Sequence, residues 1–139
     1  MPVYRTRSEE ETIALGESIA KHLPRGAVVL LIGNLGAGKT TLAKGIVRGL
    51  GAADTTEVSS PTFTLIHEYG EGRVFHIDLY RIEEAGELRT LGLDELMESD
   101  AVVLVEWGER FAHVWPPERI EIHLRALDGD EREIRVEEG

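Results

Sequence analysis

The chain has 139 residues, a formal net charge of −11 and no cysteine. That length suits one domain over residues 1–139, and the missing thiols exclude disulfide frameworks, thiolate metal sites and cysteine nucleophiles. An acidic surface repels polyphosphate backbones, so DNA or RNA is expected to meet this protein only through a partner.

No apolar stretch approaches the ~18–20 residues of a bilayer span, and the N-terminus lacks the apolar core of a signal peptide. A cytoplasmic protein without membrane contact is expected. In chain order, Ser8 and Glu11 form a capping box opening a helix, and Ile13, Leu15, Ile19 and Leu23 give it an apolar stripe before Pro24. Residues 27–32 are a continuous apolar run, as in a strand covered on both faces. A glycine-rich turn follows. Residues 39–50 then carry Leu42, Ala43, Ile46, Val47 and Leu50 at helical spacing, with Gly51 as the C-terminal cap.

After a polar loop over 52–61, residues 62–69 and 73–80 read as two strands joined at 70–72. Residues 84–97 predict a helix interrupted at Gly92, and 101–107 another buried strand ending in an acid. Beyond Pro116 and Pro117, residues 119–127 and 131–136 predict a terminal hairpin around Asp128, Gly129 and Asp130. The expected fold is α/β: a three-layer α/β/α sandwich of the P-loop NTPase kind, with a mixed, largely parallel sheet and a C-terminal hairpin.

The turn after the first buried strand reads Gly33-Asn34-Leu35-Gly36-Ala37-Gly38-Lys39-Thr40, which matches G-x-x-x-x-G-K-[ST] throughout. Its glycines let backbone N–H groups converge on phosphate oxygens, and the following helix directs its positive end at the same place. Lys39 is expected to reach the β- and γ-phosphates of ATP, and Thr40 to ligate Mg²⁺. An ordinary glycine turn is the plain alternative. The position after a buried strand and before an amphipathic helix argues against it.

Such a loop needs an acid at a strand end to hold Mg²⁺ or its water shell. Asp78 and Glu106 both qualify, and pattern alone does not divide the roles between them. Ser59, Ser60, Pro61 and Thr62 read first as a turn into a strand, with a γ-phosphate-sensing switch as the second reading. Trp107 reads by default as a core aromatic. The five histidines show no zinc-like spacing, and His76, two residues before Asp78, reads as structural or supporting. The acidic tail over 128–139 reads as a solvated edge hairpin.

Five stretches together resemble the TsaE (YjeE) family: 33–41, Ser60 to Leu65, Phe75 to Arg81, Leu91 to Glu95 and Leu104 to Trp107. The family is the bacterial ATPase needed for threonylcarbamoyl modification of adenosine 37 in tRNA. The resemblance implies that Gly36, Ala37, Gly38, Lys39, Thr40 and Thr41 bind the triphosphate. It implies that Thr40 and Glu106 ligate Mg²⁺, and that Asp78 orients or activates the attacking water. By the same resemblance, Thr62 belongs to a switch-like segment, Trp107 lies near the nucleotide and Thr6 approaches the adenine. The implied partners are TsaB and TsaD, with TsaC supplying the threonylcarbamoyl-adenylate. ATP hydrolysis would reset the TsaB–TsaD assembly, and tRNA would be held by those partners. Beyond Trp107 no family block stands out.

Two rivals remain: a small-molecule kinase and a nucleotide-dependent binding module with negligible hydrolysis. Against a kinase stand the short chain and the lack of an Arg-rich lid. A GTPase is disfavoured because Asn34 is the only asparagine, which leaves no N-K-x-D element for guanine.

Overall fold

The computed structural model describes residues 2–34, 36–52, 66–84, 86–90 and 92–138. Leu35, Thr62, Leu91 and the rest of 53–65 lie outside the described residues, so the proposed switch segment and the Ser60 to Leu65 block receive no structural account.

Seven strands form one sheet: β1 (Val3–Thr6), β2 (Val28–Ile32), β3 (Ile66–Tyr69), β4 (Val74–Asp78), β5 (Val102–Glu106), β6 (Ile120–Ala126) and β7 (Arg132–Glu138). Their spatial order is β1-β7-β6-β2-β5-β4-β3. The central strands β6, β2, β5 and β4 run parallel, and antiparallel pairings close both sides: β1 and β7 at one, β3 at the other.

The period-two alternation of the buried strands makes two cores. Val29, Leu31 and Leu104 face one layer, built from α1 (Glu9–Ala20) and α2 (Lys39–Gly49). Val28, Leu30, Val103 and Val105 face the other, where α3 (Glu87–Thr90), α4 (Leu93–Glu98) and a 3₁₀ stretch (Gly108–Val114) supply Leu88, Leu93 and Phe111. A strand apolar on both sides belongs between two such layers. The result is the three-layer arrangement expected from the sequence.

The cap at Ser8 forms as predicted, with Ser8 Oγ accepting the Glu11 N–H at 3.1 Å. The Glu11 carboxylate reaches one residue further back than a standard capping box and accepts from Arg7 N at 2.8 Å. The helix ends at Ala20, short of Leu23, because the N–H groups of His22 and Leu23 bond three residues back and tighten the last turn. The interruption at Gly92 is real: its φ of 72° separates α3 from α4.

Helices α1 and α2 lie unusually close. A Cβ on Gly16 would stand 2.6 Å from the Leu42 carbonyl oxygen, and one on Gly45 would run into the Ile13 carbonyl. Only hydrogen at these two positions lets the backbones meet. Sequence reading missed β1, in which three of the four residues are exposed and which gains its strand form from pairing with β7. It also missed the 3₁₀ stretch, whose burial of Phe111 follows from packing below the sheet.

Candidate functional site

Parallel strands β2, β4 and β5 end at one edge of the sheet, and the loop from Gly33 to Gly38 crosses that edge before α2 begins. Open α/β sheets place ligand crevices there, outside the carboxyl ends of the strands. The Ala37 N–H bonds the Asn34 carbonyl at 3.0 Å and closes the loop on itself. Gly38 takes a φ of 102° as the N-cap of α2 and offers no capping side chain, so the first N–H groups of α2 are left for another acceptor.

A cavity of about 360 Å³ opens over this edge. Gly36, Gly38, Lys39, Thr40 and Thr41 line its floor, Asp78 and Glu106 its strand-end wall, and Tyr80 and Trp107 its rim. Glu9 and Thr12 of α1, with Asp130 and Arg132 of the C-terminal hairpin, complete the far side.

Lys39 is 5% exposed. Its ammonium donates to the Gly33 carbonyl at 2.8 Å and stands 3.6 Å from the centroid of the Trp107 ring. Burial pushes the Lys39 ammonium below its ordinary value, while Glu106, Glu109 and Asp78 pull the other way. Trp107 is half-buried: it packs against the edge of the second core, as its pattern suggested, and also lies against the Lys39 ammonium. It adopts a φ of 66°, a conformation costing a non-glycine residue about 1–3 kcal/mol, and that turn carries its ring back over Lys39. Tyr80 lies beside it, its ring tilted by 55° with centroids 5.2 Å apart.

Asp78 and Glu106 are partners in the β4–β5 register and both are nearly fully buried. Thr40 Oγ1 donates to Glu106 Oε2 at 3.4 Å. Asp78 Oδ1 accepts the Tyr80 N–H at 2.8 Å, which fixes the turn leaving β4. Hydroxyl and carboxylate oxygens converging beside a positive helix end form a hard-donor set of the kind Mg²⁺ takes together with substrate phosphates. These residues fit that ion.

The other predicted residues separate. Ala37 is buried under the loop, and Asn34 is exposed. Thr6 does not line the cavity: it is buried one side chain back, with its hydroxyl 2.7 Å from that of Thr12, which does. Arg81, at the end of the Phe75 to Arg81 block, is exposed.

Arg132 was not anticipated. It donates through Nη1 to the Gly129 and Glu131 carbonyls and through Nη2 to the Gly36 carbonyl at 3.2 Å. No local pattern could have shown this, because the bond joins positions 96 residues apart. Elsewhere, His123 stands between Glu121 and Glu137 at 3.2 and 3.3 Å. Arg119 and Arg135 also engage these carboxylates, so the group reads as an ion-pair ladder on the sheet. At Glu121, burial works to raise the carboxyl, and hydrogen bonds from Arg119 and His123 outweigh it, holding it below the usual range.

The family model for the threonylcarbamoyl adenosine biosynthesis protein TsaE matches residues 6–134. The chain belongs to the TsaE family. Among TsaE proteins, that of Bacillus subtilis is 44% identical over 133 residues, covering 94% of this chain and 82% of the relative. That of Treponema pallidum is 39% identical over 132 residues, covering 94% and 96%. Both carry the name tRNA threonylcarbamoyladenosine biosynthesis protein. The crystal structure of YdiB from Bacillus subtilis superposes with a TM-score of 0.78 at 37% identity, covering 99% of this chain and 86% of that one. The TsaE match runs past Trp107 into β7, so the C-terminal hairpin that offered no recognisable block is part of the family fold.

Among the described residues, no helix is long and apolar enough to cross a membrane.

Proposed function

We propose that the chain binds ATP with Mg²⁺ at the strand-end cavity and hydrolyses it, as the ATPase of the machinery that makes threonylcarbamoyladenosine at position 37 of tRNA. The carrying observation is the convergence at one sheet edge of a glycine loop, an uncapped helix N-terminus, Lys39 and the Thr40–Glu106 pair. The tRNA pathway rests on the names of the relatives.

In this reading the α2 N–H groups and the Gly36 to Thr41 backbone bind the phosphates. Lys39 exchanges its Gly33 carbonyl for β- and γ-phosphate oxygens, an exchange of acceptors that needs little movement of its stem. Thr40 and Glu106 would hold Mg²⁺, which supplies positive charge against the phosphates. Asp78 orients the attacking water for in-line displacement and accepts its proton. Trp107 and Tyr80 shield the rim from bulk water. Thr62 contributes a switch that responds to the γ-phosphate, a role carried by the family resemblance alone.

Hydrolysis resets a TsaB–TsaD assembly between turnovers. The net charge of −11 leaves tRNA to those partners and gives this protein a docking role. Intrinsic turnover is slow. Addition of TsaB and TsaD should raise it, and fast turnover by the isolated chain would contradict this part of the proposal.

One observation favours the binding-module alternative. The Asp78 carboxylate already serves the Tyr80 N–H, so its burial has a structural use apart from catalysis.

Calorimetry of Mg²⁺-dependent ATP binding to the unmodified chain and to Lys39→Ala tests the first step. Binding that the substitution weakens by about tenfold or more supports the site, since a charged hydrogen bond contributes about 1.5–3 kcal/mol. Equal binding by both would remove the phosphate-loop reading. Appearance of phosphate on an organic acceptor instead of in solution would turn the proposal towards a kinase.

A further inference from the structure

Position 76 lies within β4, where an aliphatic side chain would ordinarily fill the core. His76 is fully buried. Strand alternation puts it on the face of Val74 and Asp78, the face covered by α1 and α2. Its register partner on β5 is Leu104, two residues before Glu106. Across that diagonal a long side chain reaches its neighbour.

His76 Nε2 stands 2.5 Å from Glu106 Oε2, the same oxygen that Thr40 Oγ1 approaches from α2. A carboxylate only accepts, so Nε2 carries the hydrogen and donates. Nδ1 is buried and has no partner among the described residues. Leaving one ring nitrogen unmatched in a core costs about 1–3 kcal/mol, which an aliphatic residue would avoid. The imidazole gives in return a rigid donor behind Glu106. Such a donor is useful because Glu106 also feels the attraction of the Lys39 ammonium.

We propose that His76 is a positioning residue, holding the Glu106 carboxylate in the orientation that presents its oxygens, together with the Thr40 hydroxyl, to a divalent cation. The inference rests on the reading of Thr40 and Glu106 as the Mg²⁺ ligands and deepens it by naming what aims one of them. His76 does not line the cavity, so its effect passes through Glu106. Groups that orient a metal ligand from behind typically change metal affinity by about 10- to 100-fold when removed.

Three substitutions separate this role from core filling. In His76→Gln the amide N–H reaches the place of Nε2, in His76→Asn it reaches only that of Nδ1, and His76→Leu keeps volume without a donor. Mn²⁺ binding to each protein with a non-hydrolysable ATP analogue is followed by electron paramagnetic resonance. ATP binding in chelator and thermal melting are measured beside it. The expected result is Mn²⁺ affinity close to the unmodified protein for Gln and about 10- to 100-fold weaker for Asn and Leu, with metal-free ATP binding unchanged in all. Equal Mn²⁺ affinity in all four proteins would overturn the inference, as would a Gln variant as weak as Leu. Metal-free ATP binding falling in parallel would also overturn it, showing a merely structural role. If Leu does not melt cooperatively, the Gln–Asn contrast decides alone. Absence of metal-dependent binding in the unmodified protein would remove the proposed function, and this inference with it. Failure of the contrast with that binding intact removes only the inference.

Discussion

Asp78 and Glu106 are the same kind of residue at the same height on adjacent strands, yet their neighbours differ. Glu106 meets two side-chain donors, Thr40 and His76, while Asp78 meets a backbone N–H at Tyr80. In the proposed division of labour Glu106, whose carboxylate both Thr40 and His76 approach, is the ligand, and Asp78, braced by the turn, is the acid whose part in handling water a substitution must test. Asp78→Asn tests this well because the amide oxygen still accepts from Tyr80. Retained Mg·ATP affinity with turnover lowered by about 10²- to 10⁴-fold is expected, the usual contribution of a positioned acid or base. Unchanged phosphate release in a steady-state assay would assign Asp78 to the turn alone. Both acids stood out in the sequence as acids at the ends of expected strands. Their separate roles did not, because the deciding donors come from α2, from β4 itself and from the turn beyond it.

Among the elements, α2 carries most of the site: its N-terminus, Lys39 and Thr40 all move with it. Its place is set by α1, against which it packs through Gly16 and Gly45. In Gly45→Ala the added methyl would meet the Ile13 carbonyl, and backbone cannot turn aside as a side chain can. The gain in helix propensity is about 1 kcal/mol, against about 1–3 kcal/mol or more for overpacking. A net loss of stability is expected, read as a melting temperature lower by several degrees, together with weaker ATP binding as α2 shifts. A rise in melting temperature would show that the helices separate freely. The apolar stripes of both helices were legible at period 3.6. Their close contact was not, since a glycine within a helix can equally mean a tolerated weakness.

At the scale of the whole molecule, the C-terminal hairpin closes over the loop that begins the site. Arg132 opens β7, braces its own turn through Gly129 and Glu131, and reaches Gly36. It makes the hairpin a wall of the cavity. The same hairpin looked like a solvated acidic edge when read alone. Arg132→Ala is expected to weaken ATP binding by about 3- to 10-fold, the value of one exposed charged hydrogen bond with some screening, and to leave the melting temperature nearly unchanged. Calorimetry and a thermal melt check both parts, and undiminished affinity would confine Arg132 to bracing its turn.

The sequence by itself determined the glycine-rich turn, the helix that follows it, the buried strands and the acids at their ends. Each of these is a local pattern: a glycine spacing, an apolar period, an acid at a strand end. The blocks around Asp78 and Glu106 also carried the TsaE likeness before any coordinates. Tertiary structure decided the rest. It turned Val3–Thr6 into a strand by pairing it with β7 and set the Trp107 ring, at the edge of the second core, against Lys39. It set His76 behind Glu106 and swung Arg132 onto Gly36. These features depend on which strands are neighbours and how closely helices approach. Such distances come from packing the whole chain, and no window of consecutive residues contains them.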